Sequence, residues 1–268
     1  MAINRRSDVI RVLQISDSHL FADPAGQLMG INTDHSLAWV LEAIQREQSH
    51  LHCILATGDI AQDSSVLAYE RFKQHLAPLK SPIYWLPGNH DEFGVMAQVV
   101  DHAFHLSPCV VAQGQWLIIL LNSSVAGEVW GHLSQAQLNF LQIQLSGAKD
   151  RHVMICLHHH PVPIGSQWLD EIALHNSDDF FSVIDQHDCV RAIIWGHVHQ
   201  AFEQERKGVR LFAVPSTCIQ FKPQSPTFAL EGFPGYRWFD LYPNGDIVSE
   251  VSRITPLSWP IDRKAGGY

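Results

Sequence analysis

The sequence has no apolar run long enough to cross a bilayer. Its longest, residues 116–121 and 153–157, fall far short of the roughly 20 residues that a membrane-spanning helix needs. It also lacks a basic excess. Eighteen Lys and Arg stand against 27 Asp and Glu, for a formal net charge of -9, whereas a duplex-binding surface usually carries a basic face. Neither a membrane nor a nucleic acid is therefore expected as a partner. A small phosphate substrate stays open, because bound cations would reverse the local field. Cysteine is scarce: five residues, an odd number, widely spaced and without a C-x-x-C pair. Three of them lie in or beside apolar runs. That suits buried thiols in a reducing compartment rather than a disulfide framework. Residues 1–8 lack the apolar stretch of a secretory signal, so a cytoplasmic location is expected. There is no repeat, no low-complexity tract and no linker-like stretch. Residues 1–268 are expected to form a single domain, with 256–268 an irregular tail.

Hydrophobic residues make up 46% of the chain and charged residues 17%, enough for a large buried core. Apolar, β-prone runs occur at 9–16, 51–56, 83–86, 109–112, 115–121, 152–157, 190–195, 209–214, 236–241 and 247–254. Helical spacing appears at 33–48, with Thr33 or Asp34 as N-cap, and at 64–79, with Leu67, Phe72 and Leu76 inward. It recurs at 94–102, at 133–145 with Ser134 as N-cap, and at 177–186. Strands alternate with helices in the first half and hairpins dominate later. This predicts a mixed α/β (α+β) sandwich rather than a doubly wound sheet.

Five of the predicted strands end in metal-type donors. They are Asp17 and His19; Asp59; Asn89 and His90; His158 with His159 and His160; and His197 with His199. Strand ends on one side of a sheet meet in a single crevice. Asp17, His19, Asp59, Asn89, His158, His197 and His199 supply seven N or O donors. One metal cannot use all seven and keep a position for substrate, but two metals sharing Asp59 can. The donor set contains no thiolate, which favours Fe, Mn, Zn or Co over a closed structural zinc site. Two metals roughly 3.5–4 Å apart serve phosphoester hydrolysis, with a bridging hydroxide as nucleophile.

Asp17-x-His19, Gly58-Asp59, Gly88-Asn89-His90-Asp91, His158-His159 and Gly196-His197-x-His199, in that order and over most of the chain, resemble the calcineurin-like metallophosphoesterases. The resemblance implies a four-layer α/β/β/α sandwich of two mixed sheets flanked by helices. The flanks at 13–21, 56–63, 85–91 and 211–223 are similar to those of bacterial class III cyclic nucleotide phosphodiesterases. That similarity implies hydrolysis of 3′,5′-cyclic AMP to 5′-AMP, a small cyclic nucleotide as partner, and two divalent metal ions per chain. Fe or Mn leads, with Zn or Co as further options. By the same resemblance, Asp17, His19, Asp59 and His199 would hold one metal, and Asp59, Asn89, His158 and His197 the other. His90 would be the general acid, with Asp91 orienting it. Asn89, His90 and His199 would contact the substrate.

The chain departs from the pattern in carrying three His at 158–160 rather than two. His158 is the expected ligand and His159 the alternative. Gln62 stands where purple acid phosphatases carry a metal-binding Tyr, so no tyrosinate colour is expected. The same ligands would serve 2′,3′-cyclic nucleotides or glycerophosphodiesters, and a non-catalytic metal- or nucleotide-binding module is a more distant reading. Loops 21–32, 165–176 and 218–223 are expected to decide the substrate. Trp168 or Phe221 would offer a platform for a base. Monomer and homodimer both stay open.

Overall fold

The computed structural model describes residues 8–148, 150–256 and 258–262. Its strands, in chain order, are β1 (Ile10–Ile15), β2 (Gln27–Leu28), β3 (Ile31–Asn32), β4 (Cys53–Ala56), β5 (Ile83–Trp85), β6 (Phe104–Leu106) and β7 (Cys109–Gln113). They continue with β8 (Trp116–Leu120), β9 (His152–Cys156), β10 (Val190–Trp195), β11 (Phe202–Arg206), β12 (Val209–Ala213), β13 (Gly235–Leu241) and β14 (Ile247–Arg253). The helices are α1 (Thr33–Glu47), α2 (Val66–Leu76), α3 (Phe93–Val99), α4 (Gln135–Gly147), α5 (Gln167–Asp170) and α6 (Ser177–Ile184).

Two six-stranded sheets form, ordered β14-β13-β1-β4-β5-β6 and β11-β12-β10-β9-β8-β7. In the first, β1, β4, β5 and β6 run parallel. In the second, β12, β10, β9 and β8 do. Hairpin strands close one edge of the first sheet and both edges of the second, so each sheet is mixed. The parallel strands read as near-continuous apolar runs because both of their faces are covered. Along β1, Val12 enters the core between the sheets with Leu55, Ile118, Met154 and Ile194. Leu13 turns the other way, into the layer with Leu37, Ile44, Phe72 and Met96 of α1, α2 and α3. On the second sheet, Ile155 and Ile193 meet Leu141 and Leu145 of α4 and Phe180 and Ile184 of α6. The result is the expected α/β/β/α order of layers.

Local differences have local causes. The N-cap of α1 is Asn32, one residue before the expected pair, and its side chain accepts from the His35 N–H at 2.8 Å. Ser134 does cap α4, accepting from Gln137 N. In α2, Leu67 is 62% exposed and the inward positions are Ala68, Tyr69, Phe72 and Leu76. Counting back from Phe72, the same helix face falls three and four residues away, at 69 and 68, and not at 67. Strand β11 escaped the apolar pattern because its sequence, FEQER, is that of a largely exposed edge strand. Residues 256 and 258–262 of the expected tail form neither helix nor strand, while 257 and 263–268 lie outside the described residues.

Candidate metal centre

Because β1, β4 and β5 run parallel, as do β9 and β10, their C-terminal ends reach one rim of the sandwich. The β1–β4 pairing is prolonged past the strands: Asp17 N donates to Gly58 O at 2.9 Å and His19 N to Asp59 O at 3.0 Å. The two sheets are then tied together. Asp17 Oδ1 accepts from His197 N at 3.0 Å, and His158 Nδ1 lies 2.7 Å from Thr57 O. Asp17, His19, Asp59, His197 and His199 all have positive φ, between 46° and 65°. Such values are uncommon for any residue with a side chain. Gly58, at φ +97°, passes so close that an added Cβ would stand 2.3 Å from His158 Nδ1.

The expected ligands gather into two overlapping groups. In the first, ligand atoms of Asp17, His19 and His199 lie within 4.8 Å of one another. His19 Nε2 is 3.2 Å from His199 Nε2, which is 3.5 Å from Asp17 Oδ1. In the second, His158 Nε2 lies 3.2 Å from Asn89 Oδ1 and 3.3 Å from Asp59 Oδ2. The His197 ring is 5.1 Å from that of His158. Asp59 stands between the groups, its Oδ2 also 3.9 Å from His19 Nε2. Its Oδ1 accepts from His90 N at 2.9 Å. The half-buried His90 ring packs edge-on against His19, centroids 5.0 Å apart.

These residues fit divalent cations on the structure's own terms. His199 Nδ1 is 2.9 Å from Ile219 O, and His19 Nδ1 is 2.7 Å from Gln62 Oε1. Both partners are acceptors, so each Nδ1 carries the hydrogen and each Nε2 is turned inward. Two imidazole nitrogens 3.2 Å apart beside a carboxylate can share a cation, a proton or a metal ion. Asp17 Oδ2, Asp59 Oδ2 and both nitrogens of His197 are buried without a hydrogen-bond partner, an arrangement that is costly unless something else binds them.

Electrostatics agree. Burial, then neighbouring histidines, holds His197 well below its usual range, and burial does the same to His19. Burial pushes Asp59 up, but His158 and His90 outweigh it and hold the carboxyl well below its usual range. Burial pulls His158 down, but Asp59 outweighs it and raises the imidazole to about 9. Below that pH, the proton on His158 occupies the place that a cation would take.

The three consecutive histidines separate by contact. His158 faces Asp59 and Asn89. His159 sets Nδ1 2.9 Å from Ser123 Oγ, and its buried Nε2 reaches the group of His158 and His197. The His160 ring lies parallel to that of His197 at 5.7 Å, with Nε2 3.4 Å from Asp170 Oδ1.

Two expectations need correction. Asp91 does not orient His90. Its carboxylate accepts from the N–H groups of Ile60, Ala61 and Gly88 and from the Tyr69 hydroxyl, at 2.9–3.2 Å. It pins the loop that carries Asn89 and His90 onto the end of β4. Phe221 is no base platform. It is 1% exposed and stacks on His199 at 4.2 Å, with Trp168 and Phe228 packed edge-on against it. Sequence reasoning missed the carbonyls of Thr57 and Ile219. Main-chain acceptors leave no side-chain signal. Gln62 was noticed for the Tyr it replaces, not for holding His19.

A metallophosphoesterase is the class that this fold and crevice define. The sequence model of the calcineurin-like phosphoesterases matches residues 10–201, and the chain belongs to that family. It is 41% identical over 260 residues, 97% of this chain and 95% of the relative, to the 3′,5′-cyclic adenosine monophosphate phosphodiesterase CpdA of Pseudomonas aeruginosa. It is 41% identical over 262 residues to the protein of that name from Escherichia coli K12, again covering 97% and 95%. Among solved structures, a dimetal phosphatase from Danio rerio matches 90% of this chain and 98% of its own, with a TM-score of 0.63 at 17% identity. No helix among the described residues is long and apolar enough to cross a membrane.

Proposed function

We propose that this chain is a metal-dependent phosphodiesterase that opens the cyclic ester of 3′,5′-cyclic AMP to 5′-AMP. The observation that carries the reading is the convergence of seven N and O donors, from five strand ends on two sheets, around Asp59. The substrate is taken from the names of relatives that align over nearly the whole chain. Asp17, His19, Asp59 and His199 would hold one divalent ion, and Asp59, Asn89, His158 and His197 the other. Bound there, the pair supplies Lewis acidity and an activated water, and offsets charge growing on the phosphoryl oxygens. Iron or manganese suits this donor set, as do zinc and cobalt.

The protein's own groups do the rest. The loop pinned by Asp91 sets Asn89 and His90 side by side at the phosphate. Asn89 presents its amide to the phosphoryl group. His199, held by Ile219 O and by the Phe221 ring, fixes the opposite edge. Hydrolysis joins a water oxygen to phosphorus and breaks the bond from phosphorus to O3′; the water's proton passes to solvent, and His90 would give its own proton to the leaving O3′. General acid assistance of this kind contributes about 10²–10⁴-fold.

A substrate panel on protein reconstituted with each metal in turn tests the reading. Release of 5′-AMP from 3′,5′-cyclic AMP, faster than hydrolysis of 2′,3′-cyclic AMP or glycerophosphodiesters, is expected. Cleavage of a generic diester without release of 5′-AMP would refute the substrate and keep the chemistry. His90→Ala should lower kcat by at least about 100-fold while metal content holds.

A further inference from the structure

The proposed metal centre accounts for the phosphate but leaves the rest of a substrate without a seat. A cavity of about 350 Å³ opens directly beside it, lined by Ser64, Asn89, Phe93, Asn122, Ser124 and Gly127, among others. That is within the size range of small-molecule sites. Its inner end is Asn89, one of the proposed ligands. The outer end brings together two elements that sequence reasoning did not connect: the start of α3, and the loop after β8.

Phe93 is 40% exposed, one of the few large apolar side chains left in solvent, and it lines this cavity. A ring of that kind offers a stacking face. Asn122 contributes polarity of known direction. Its Oδ1 accepts from both Ser124 N at 2.9 Å and Ser124 Oγ at 2.7 Å. A main-chain N–H can only donate, so the amide cannot be turned round. The two Nδ2 hydrogens point away from the turn, and no acceptor among the described residues takes them. The loop is anchored to the catalytic rim. Asn122 N donates to Gln137 Oε1, and Ser123 Oγ accepts from the N–H of His158 and lies 2.9 Å from His159 Nδ1. Asn122 is thus held at a set distance from the proposed ligands.

Charge narrows what fits. The lining includes the acidic residues Asp91 and Glu92 and neither Lys nor Arg, and the Asp91 carboxylate is turned away onto the N–H groups of Ile60, Ala61 and Gly88. A second phosphate would meet no cation here. A neutral, flat heteroaromatic group with ring-nitrogen acceptors is the complementary chemistry.

We infer that this cavity is the base subsite, in which the purine of the substrate stacks on Phe93 and accepts a hydrogen bond from Asn122 Nδ2. The inference deepens the cyclic-nucleotide reading above and rests on it for the identity of the substrate.

Adenosine, which carries no phosphate, is the probe. It is tested as a competitor of methyl 4-nitrophenyl phosphate turnover by the metal-loaded enzyme, alongside the KM for 3′,5′-cyclic AMP. In the wild type adenosine should compete and ribose should not. Phe93→Ala should weaken adenosine inhibition, and raise the KM for cyclic AMP in parallel, by about five- to a hundredfold, the usual effect of removing one aromatic stacking partner. Phe93→Trp should restore both. Asn122→Ala should weaken adenosine inhibition and leave inhibition by the corresponding indole ribonucleoside, which has no ring-nitrogen acceptor, little affected.

The two readings fail separately. Phe93-dependent competition by adenosine without cyclic AMP hydrolysis keeps the subsite and removes the substrate. Cyclic AMP hydrolysis with KM and adenosine inhibition unmoved in Phe93→Ala overturns the subsite, and so does absence of adenosine competition in the wild type.

Discussion

Gly58→Ala should disable the centre without replacing a proposed ligand. Gly58 sits at φ +97°, and a Cβ built there meets His158 Nδ1 at 2.3 Å and Gly88 N at 2.8 Å. Neither contact can stand. Gly88 N is main chain, and His158 Nδ1 is committed to Thr57 O at 2.7 Å. The histidine must move, and with it the Nε2 that faces Asp59 and Asn89. The backbone conformation costs about 1–2 kcal/mol for a residue with a side chain, and the forced contact about 1–3 kcal/mol more. For a chain of this size, each kcal/mol lowers Tm by about 2–4 °C. Gly208→Ala supplies the control. Gly208 lies at φ +79° in the β11–β12 turn, with nothing within 4 Å of an added Cβ. It carries the conformational cost alone. Both variants should therefore melt earlier, but only Gly58→Ala should lose bound metal and roughly 100-fold in turnover, the scale of a 1 Å misplacement. Differential scanning calorimetry, metal analysis and a diester assay read the three quantities. Wild-type metal content and turnover in Gly58→Ala would refute the reasoning, because His158 would then not need its present place.

Asp59→Asn should reduce bound metal from about two ions per chain to one or fewer, with elemental analysis as the check and full retention as the contrary result. Asp91→Asn turns an amide N–H₂ toward main-chain donors. Leaving one of them unsatisfied costs about 1–3 kcal/mol, so Tm should fall while the pH optimum of turnover stays; a moved alkaline limb would instead restore Asp91 as the orienting partner of His90. Because Asp59 raises His158 to about 9, metal must displace a proton below that pH, so apparent metal affinity should climb with pH up to about 9. Proton release measured calorimetrically in two buffers checks this. In the metal-free protein, stability gained from the His158–Asp59 pair is full below the ordinary His value of 6.5 and is lost as pH rises through about 9. Burial raises the thiols of Cys53 and Cys218 to about 12, so native protein should resist maleimide at pH 8 and label after unfolding; rapid native labelling of either would contradict the packing.

That the candidate donors converge was legible because each is a particular side chain at a strand end, and apolar runs mark strand ends well. Helix termini were legible where a hydroxyl cap is used, as at Ser134, and displaced by one where Asn32 replaced the expected Thr33 or Asp34. Phe221 was misread for a reason that sequence cannot supply. It sits in a loop beside the site, but Trp168 and Phe228 arrive from elsewhere to bury it. Asp91 was misread because adjacency to His90 suggested a partner, whereas the chain reversal at Gly88 turns its carboxylate back onto Ile60 and Ala61. The cavity at Phe93 and Asn122 was invisible, since it depends on α3 and the loop after β8 meeting across the two sheets.

Backbone conformation adds a point that the ligand inventory does not contain. Five of the seven proposed ligands have positive φ, and none of the five is glycine. Left-handed geometry costs an ordinary residue about 1–2 kcal/mol, somewhat less for Asp and His. A strand that continued straight past the rim would send side chains alternately to opposite faces. One left-handed residue breaks that alternation and returns the next side chain to the crevice. The conformation at Asp17 and His19 is held because their N–H groups keep pairing with Gly58 O and Asp59 O beyond the end of β1. At His197 it is held by the bond from its N–H to Asp17 Oδ1. The strained residues therefore brace one another across the two sheets. A substitution at any of them removes a proposed ligand and a brace together, so its effect on stability should exceed that of a surface change and should shrink when metal is withdrawn, leaving the brace alone. This is the pattern expected where backbone strain is stored at a functional site.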